Sequence, residues 1–181
     1  QECEDRPGNA EKEQKERDRL FALLEEATTF YHGNLSPDTS ARAYLHTRGV
    51  SDTSIDYWRL GFAPGPNTAG TDGWRALHSH LTSKGFNEAD IVRAGLAKHS
   101  EGGRTYDTFR DRIVFPICDS SGRTVGFSGR LLESGSAQSR DEETAPKYLN
   151  SPETPLFDKS IVLYGFDKAK TAIRTNNFTV L

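Results

Sequence analysis

Apolar side chains near the start of this chain return with a helical period. Leu20, Leu24, Ala27, Tyr31 and Leu35, with Leu23 and Phe30 beside them, fall on one helical stripe. The pattern predicts an amphipathic helix with its aromatic members in the core. Ahead of it, "QECEDRPGNAEKEQKERD" is polar, mixed in sign and without apolar period, so residues 1–19 read as a linker or a solvated helix extension. After "SPDTS", the stretch "ARAYLHTRG" predicts a short helix through Arg48, stopped by Gly49. "SDTSIDYWRLG" predicts another, opened by Ser51 or Asp52 and closed near Gly61. The Pro/Gly-rich loop "APGPNTAGTDG" leads to a helix from Trp74 to about Leu81, and "NEADIVRAG" gives one more, ending at Gly95.

Beyond Gly95 the period changes from helical to alternating. In "DRIVFPICD", Ile113, Phe115 and Ile117 alternate with Val114 and Pro116; in "RTVGFSGRLL", Val125, Phe127 and Leu131 share one parity. "DSSG", Asp119 to Gly122, joins the two strands as a hairpin loop. Pro116 removes a ladder donor, which places it near an edge or a bulge. "LLESGSAQSRDEETA" has the composition of a mobile loop, "LYGFDKAKTAI" resumes a helical pattern, and "NNFTVL" reads as a strand just beginning. The expected fold class is α+β, a helical first half followed by a small, mainly antiparallel sheet with a hairpin.

Composition narrows the functional classes. A chain of 181 residues suits one domain or two small subdomains. With 34% hydrophobic and 27% charged residues, and no apolar run near the ~20 residues that span a bilayer, it is expected to be soluble and cytoplasmic, with no membrane partner. The only cysteines, Cys3 and Cys118, are far apart and carry neither a disulfide framework nor zinc-ligand spacing. A net charge of −3 argues against general coating of nucleic acid, so any polyanion site has to be local. The chain contains no methionine and is read as an internal piece of a longer polypeptide.

Two regions offer local chemistry. Between Arg104 and Arg130, five arginines face three aspartates, Asp107, Asp111 and Asp119. Strand parity points Arg130 away from the core that Val125 and Phe127 fill, leaving it available to a ligand. Arg110 and Arg112 divide between two readings: pairing with Asp107 and Asp111 to tie down the strand entrance, or binding a ligand. The second region, "PKYLNSPETPLF", holds three prolines in twelve residues and sets Lys147, Tyr148 and Asn150 on a stiff loop. A cation, a ring and an amide held together suit a phosphate, a base and a sugar edge; the same residues also suit an ordinary Pro-rich surface loop.

The ordered set "AYLHTRGVSDTSIDYWRLGFAPG", "GRTYDTFRDRIVFPICDSSGRTVGFSGRLL", "PKYLNSPETPLF" and "LYGFDKAK" closely resembles the bacterial DnaG-type DNA primases, in the N-terminal subdomain of their RNA polymerase core. The resemblance runs from about Leu20 to the end. It implies a linker or extension over 1–19, the core subdomain over 20–178, and at 179–181 the first strand of a TOPRIM subdomain that the chain does not contain. It also implies an enzyme that synthesises short RNA primers on single-stranded DNA during replication, with template, primer and nucleoside triphosphates as partners. A replicative helicase would be met through regions outside this chain. At matched positions Arg48, Arg130, Lys147, Tyr148 and Asn150 resemble the family's template and nucleotide contacts.

The resemblance places the chemistry elsewhere. In the family, acids of the TOPRIM subdomain hold Mg²⁺ or Mn²⁺, and a separate N-terminal module holds Zn²⁺. No bound metal is therefore expected in this chain, and it is expected to be inactive alone. The span from Arg130 to Lys147 is longer than the family pattern, and its acids, Glu133, Asp141, Glu142 and Glu143, would weaken a neighbouring polyanion site unless the loop swings clear. A non-enzymatic single-strand-binding module, or a piece of another TOPRIM enzyme such as a phage primase-helicase, are the alternatives.

Overall fold

A computed structural model describes residues 7–35, 39–66, 68, 72–132 and 145–176. From Pro7 onward the polar head is helical: α1 runs unbroken from Pro7 to Asn34 and carries the stripe read above, with Leu20, Leu23, Leu24, Ala27 and Tyr31 buried. Helices α2 (Ser40–Thr47), α3 (Asp52–Trp58) and α5 (Glu88–Arg93) each open on a side-chain cap. Thr39, Ser51 and Asn87 accept the backbone N–H groups of Arg42, Ser54 and Asp90. Helix α4 (Ala76–Ser83) has no such cap from its own flank. Gly49 and Gly95 follow α2 and α5 in the left-handed region, as their sequence positions predict.

The stop of α3 differs from expectation. Arg59, not Gly61, takes the left-handed conformation, at φ 51°, and Leu60 N–H returns to the Ile55 carbonyl. Gly61 is thereby free to begin β1 (Gly61–Ala63). This strand was not predicted, because all three of its residues are buried and no alternation marks it.

The sheet is antiparallel, in the order β1-β4-β5-β6, with β4 at Arg112–Cys118, β5 at Thr124–Leu131 and β6 at Tyr148–Asn150. The hairpin at Asp119–Gly122 is as predicted, closed by Gly122 N–H to the Asp119 carbonyl. Pro116 sits beyond the reach of β1, whose pairing stops at Val114, and just before a register shift at Ile117/Cys118. A separate two-stranded sheet joins β2 (Ala97–His99) to β3 (Thr105–Asp107). Helix α6 (Phe166–Asn176) closes the described chain. Of the expected mobile loop at 131–145, residues 133–144 lie outside the described residues and Leu131 ends β5; of the expected strand start at 176–181, residues 177–181 lie outside them and Asn176 ends α6.

Each face of the main sheet has its own core. On one face Ala63, Val114 and Phe127 pack with α1, α4 and α5. On the other, Phe62 and Ile113 pack with Leu35, Leu45 and Ile55 of the α1 end, α2 and α3. Residues directly opposite across antiparallel strands share a face, so Ile113, Arg130 and Tyr148 form one row and Phe115, Ser128 and Asn150 the next. The Ile113 end of these rows is roofed by α2 and α3, while at the β6 edge Tyr148 and Asn150 stand exposed.

Candidate nucleic-acid interface

At that edge of the sheet, Arg130 and Tyr148 are paired across β5 and β6. The Arg130 guanidinium lies 5.4 Å from the Tyr148 ring centroid, and its Nη1 donates to the Tyr148 hydroxyl at 2.5 Å. Tyr44 of α2 approaches from the other flank, with its ring centroid 5.1 Å from the same guanidinium. Arg48, the C-terminal cap residue of α2, in turn sits 5.3 Å from the Tyr44 ring. Cation and ring thus alternate as Arg48, Tyr44, Arg130, Tyr148. The buried Nε of Arg130 has no hydrogen-bond partner among the described residues, which leaves a directed donor inside a cationic, aromatic surface. Tyr148 is 57% exposed.

"KYLN" is not a loop, as the sequence suggested: its last three residues are the edge strand β6. Leu131 N–H donates to the Lys147 carbonyl, and the ladder continues through Ser128 and Asn150. Pro146 and Pro152 flank the strand rather than interrupt it, which keeps it short and stiff. Lys147, Tyr148 and Asn150 are all exposed. The following residues serve packing. Ser151 is fully buried and accepts Phe127 N–H through its hydroxyl, and Phe157 fills a small core with Ile117 and Val125.

Arg110 and Arg112 are held differently. Arg112 is 5% exposed and donates from Nη1 to the carbonyls of Gly129 and Lys147, so it ties β4, β5 and the start of β6 together. Arg110 lies between two rings, 4.8 Å from the Trp74 centroid and 4.9 Å from that of Tyr106, and donates to the Asp107 carbonyl. Burial lowers the pKa of both guanidinium groups. The Asp107 carboxylate does not clamp an arginine side chain, as the sequence suggested. It accepts the N–H groups of Leu77 and His78, capping α4 from thirty residues away in sequence.

Tyr44 went unnoticed in the sequence because its neighbours Ala41 and Leu45 mark the buried stripe of α2 and it reads as an edge of that stripe. The available signal was its spacing four residues before Arg48, which puts both on one helical face.

The family model of the DNA primase catalytic core, N-terminal domain, matches residues 30–170. The chain belongs to this family. The DNA primase of Escherichia coli strain K12 is 37% identical to this primase-family chain over 165 residues, 90% of the chain and 26% of that protein. Among solved structures, a DnaG primase catalytic domain bound to single-stranded DNA superposes with a TM-score of 0.71 at 37% identity, over 88% of this chain and 47% of that one. The zinc-binding and RNA polymerase domains of the Aquifex aeolicus primase superpose at 0.75 and 26% identity, over 91% and 36%. The chain spans about a quarter of the length of the curated primases it matches.

Proposed function

We propose that this chain forms the template- and nucleotide-gripping part of a primase RNA polymerase domain that lays down short RNA primers on single-stranded DNA. The observation that carries the reading is the alternating row Arg48, Tyr44, Arg130, Tyr148 at the open edge of the sheet, with Lys147 and Asn150 beside it. Cations at this spacing take strand phosphates, and the exposed face of Tyr148 takes a base by stacking. Asn150, two residues along the same strand face, offers donors and an acceptor to a sugar or base edge. Arg112 acts beneath this surface by fixing the register of Lys147 against β5. Arg110 is assigned to holding Trp74 and Tyr106 rather than to this row.

Among the described residues no three His, Cys, Asp or Glu side chains gather as a metal-binding group. The donors for the two-metal chemistry of nucleotidyl transfer are assigned to a TOPRIM part of the parent enzyme, and zinc to its N-terminal module. Among the described residues no helix is long and apolar enough to cross a membrane; a cytoplasmic setting follows from the replicative role proposed.

Fluorescence anisotropy of a labelled single-stranded oligonucleotide across a salt series tests the reading. Arg130→Ala is expected to weaken binding and to flatten the log–log salt slope by about 0.7, one phosphate's share for a single strand. Arg130→Ala binding like the parent chain at every salt concentration would remove the site.

A further inference from the structure

Helix α6 has no buried residue, and Ile161, Leu163, Tyr164 and Phe166 at its entrance are exposed. Its direction therefore does not come from a buried apolar face. Val162 anchors the preceding segment against Ile117, Val125 and Phe157. From there on the chain is held by ring and cation contacts, most of them to the end of α3. The Tyr164 ring stacks on that of Trp58, the last residue of α3, with centroids 5.5 Å apart and planes at 16°. Gly165, at φ 75°, turns the chain into α6 so close to the same ring that an added Cβ would stand 3.1 Å from Trp58 Cη2. One turn on, Lys168 Nζ lies 4.2 Å from the Tyr57 centroid and 5.4 Å from that of Trp58. Lys170 Nζ donates to the Ser120 carbonyl in the β4–β5 hairpin loop at 2.5 Å.

The α3 side of this clamp is fixed. Ile55 is fully buried, and Arg59 grips the Glu25 carboxylate of α1 through both Nη atoms, at 2.9 and 2.6 Å. Trp58 and Tyr44 pack against the same core, that of Leu45, Ile55 and Ile113. The clamp on α6 and the row Arg48, Tyr44, Arg130, Tyr148 are thus built on one packed unit.

We propose that Trp58 is a positioning residue for nucleotidyl transfer: through its stack on Tyr164 it sets the direction of α6, and with it the place of the parent's metal-holding part relative to a strand held at Arg130. The inference rests on the function proposed above. In-line transfer needs metals, nucleotide and template aligned closely, and a helix without a buried face relies on such contacts to keep its angle.

The test is made in the full-length parent primase. Primer synthesis at saturating template separates kcat from KM, anisotropy gives strand affinity, and hydrogen exchange over residues 161–176 follows α6. Trp58→Ala and Tyr164→Ala are each expected to lower kcat about tenfold while leaving strand affinity within about twofold. Exchange should quicken over 161–176 and not over α1. Trp58→Phe, whose ring still stacks, is expected to restore kcat, and the double alanine variant to be no slower than either single one. Tyr164 is 45% exposed, so its variant reads the clamp without opening a core. The role is overturned if Tyr164→Ala keeps the parent's kcat, if kcat and strand affinity fall together, or if exchange quickens with kcat unchanged. A parent that makes no primers, or whose Arg130→Ala variant binds strands undiminished, brings down the function proposed above and this role with it. Primer synthesis that needs Arg130 but not the stack removes the clamp alone.

Discussion

At the scale of single residues, the carboxyl of Asp107 is shifted far from its ordinary range. Its carboxylate is 1% exposed and caps α4 through Leu77 and His78. Burial pushes its pKa up to about 6, opposed by the two N–H bonds and the charge of Arg110. Its folded pKa lies above the unfolded value near ~3.9, so the folded chain binds this proton more tightly, and the contribution of Asp107 to stability falls as pH rises from about 4 to 6. Glu26 and Asp119 have depressed pKa values and act in the opposite sense, losing their contribution as pH falls. A carbon-detected titration of the Asp107 carboxyl is expected to show a midpoint near 6, and Asp107→Asn to remove that part of the stability profile. A midpoint below 4 would show the carboxylate to be better solvated than its position implies. On the proposed interface, Tyr148→Ala is expected to cost about 1–3 kcal/mol of strand affinity with little change in salt slope. Lys147→Ala should do the reverse, flattening the slope by about 0.7 with little effect on melting temperature. Parallel titrations at several salt concentrations separate the two.

Among the elements, α1 and β1 approach closely at Gly61. A Cβ added to Gly61 would lie 2.6 Å from the carbonyl carbon and Cβ of Tyr31, so Gly61→Ala has to push strand and helix apart. A loss of about 1–3 kcal/mol is expected, lowering the melting temperature by several degrees. Gly33 gives the contrast. It lies within α1 with nothing within 4 Å of an added Cβ, and Gly33→Ala is expected to stabilise by about 0.5–1 kcal/mol. Thermal melts of the two variants should move in opposite directions; a neutral Gly61→Ala would mean that the crossing is looser than it stands. The same elements show what the sequence could and could not reveal. The α1 stripe and the β4–β5 hairpin were legible because each runs long enough for its period to repeat. Strands β1, β2 and β3 were not, since three residues are too few for alternation. At β6 the prolines that flank the strand made it look like a loop. The contact of Tyr44 with Arg130 and the capping of α4 by Asp107 join distant segments, which no local pattern carries.

Over the whole molecule, charge and acid placement set what this chain can do. Its net charge is −3, so a strand is attracted only where arginines are gathered, and distant carboxylates oppose it once salt no longer screens the local field. Binding of single-stranded DNA is therefore expected to be weak and to fall steeply with added salt. Catalysis needs a further arrangement, acids grouped so that two metals stabilise the attacking and leaving oxygens. Three of the described acids are spent otherwise: Asp107 caps a helix, Asp119 holds the hairpin turn with Arg123, and Asp52 pairs with Arg42 and His46. The chain alone, incubated with template, nucleoside triphosphates and Mg²⁺ or Mn²⁺, is expected to make no template-dependent RNA, while still binding the template in an Arg130-dependent manner. Product formed in proportion to the chain through successive purification steps, and abolished by Arg130→Ala, would place a complete active centre within these 181 residues and overturn the division of labour proposed for the parent enzyme.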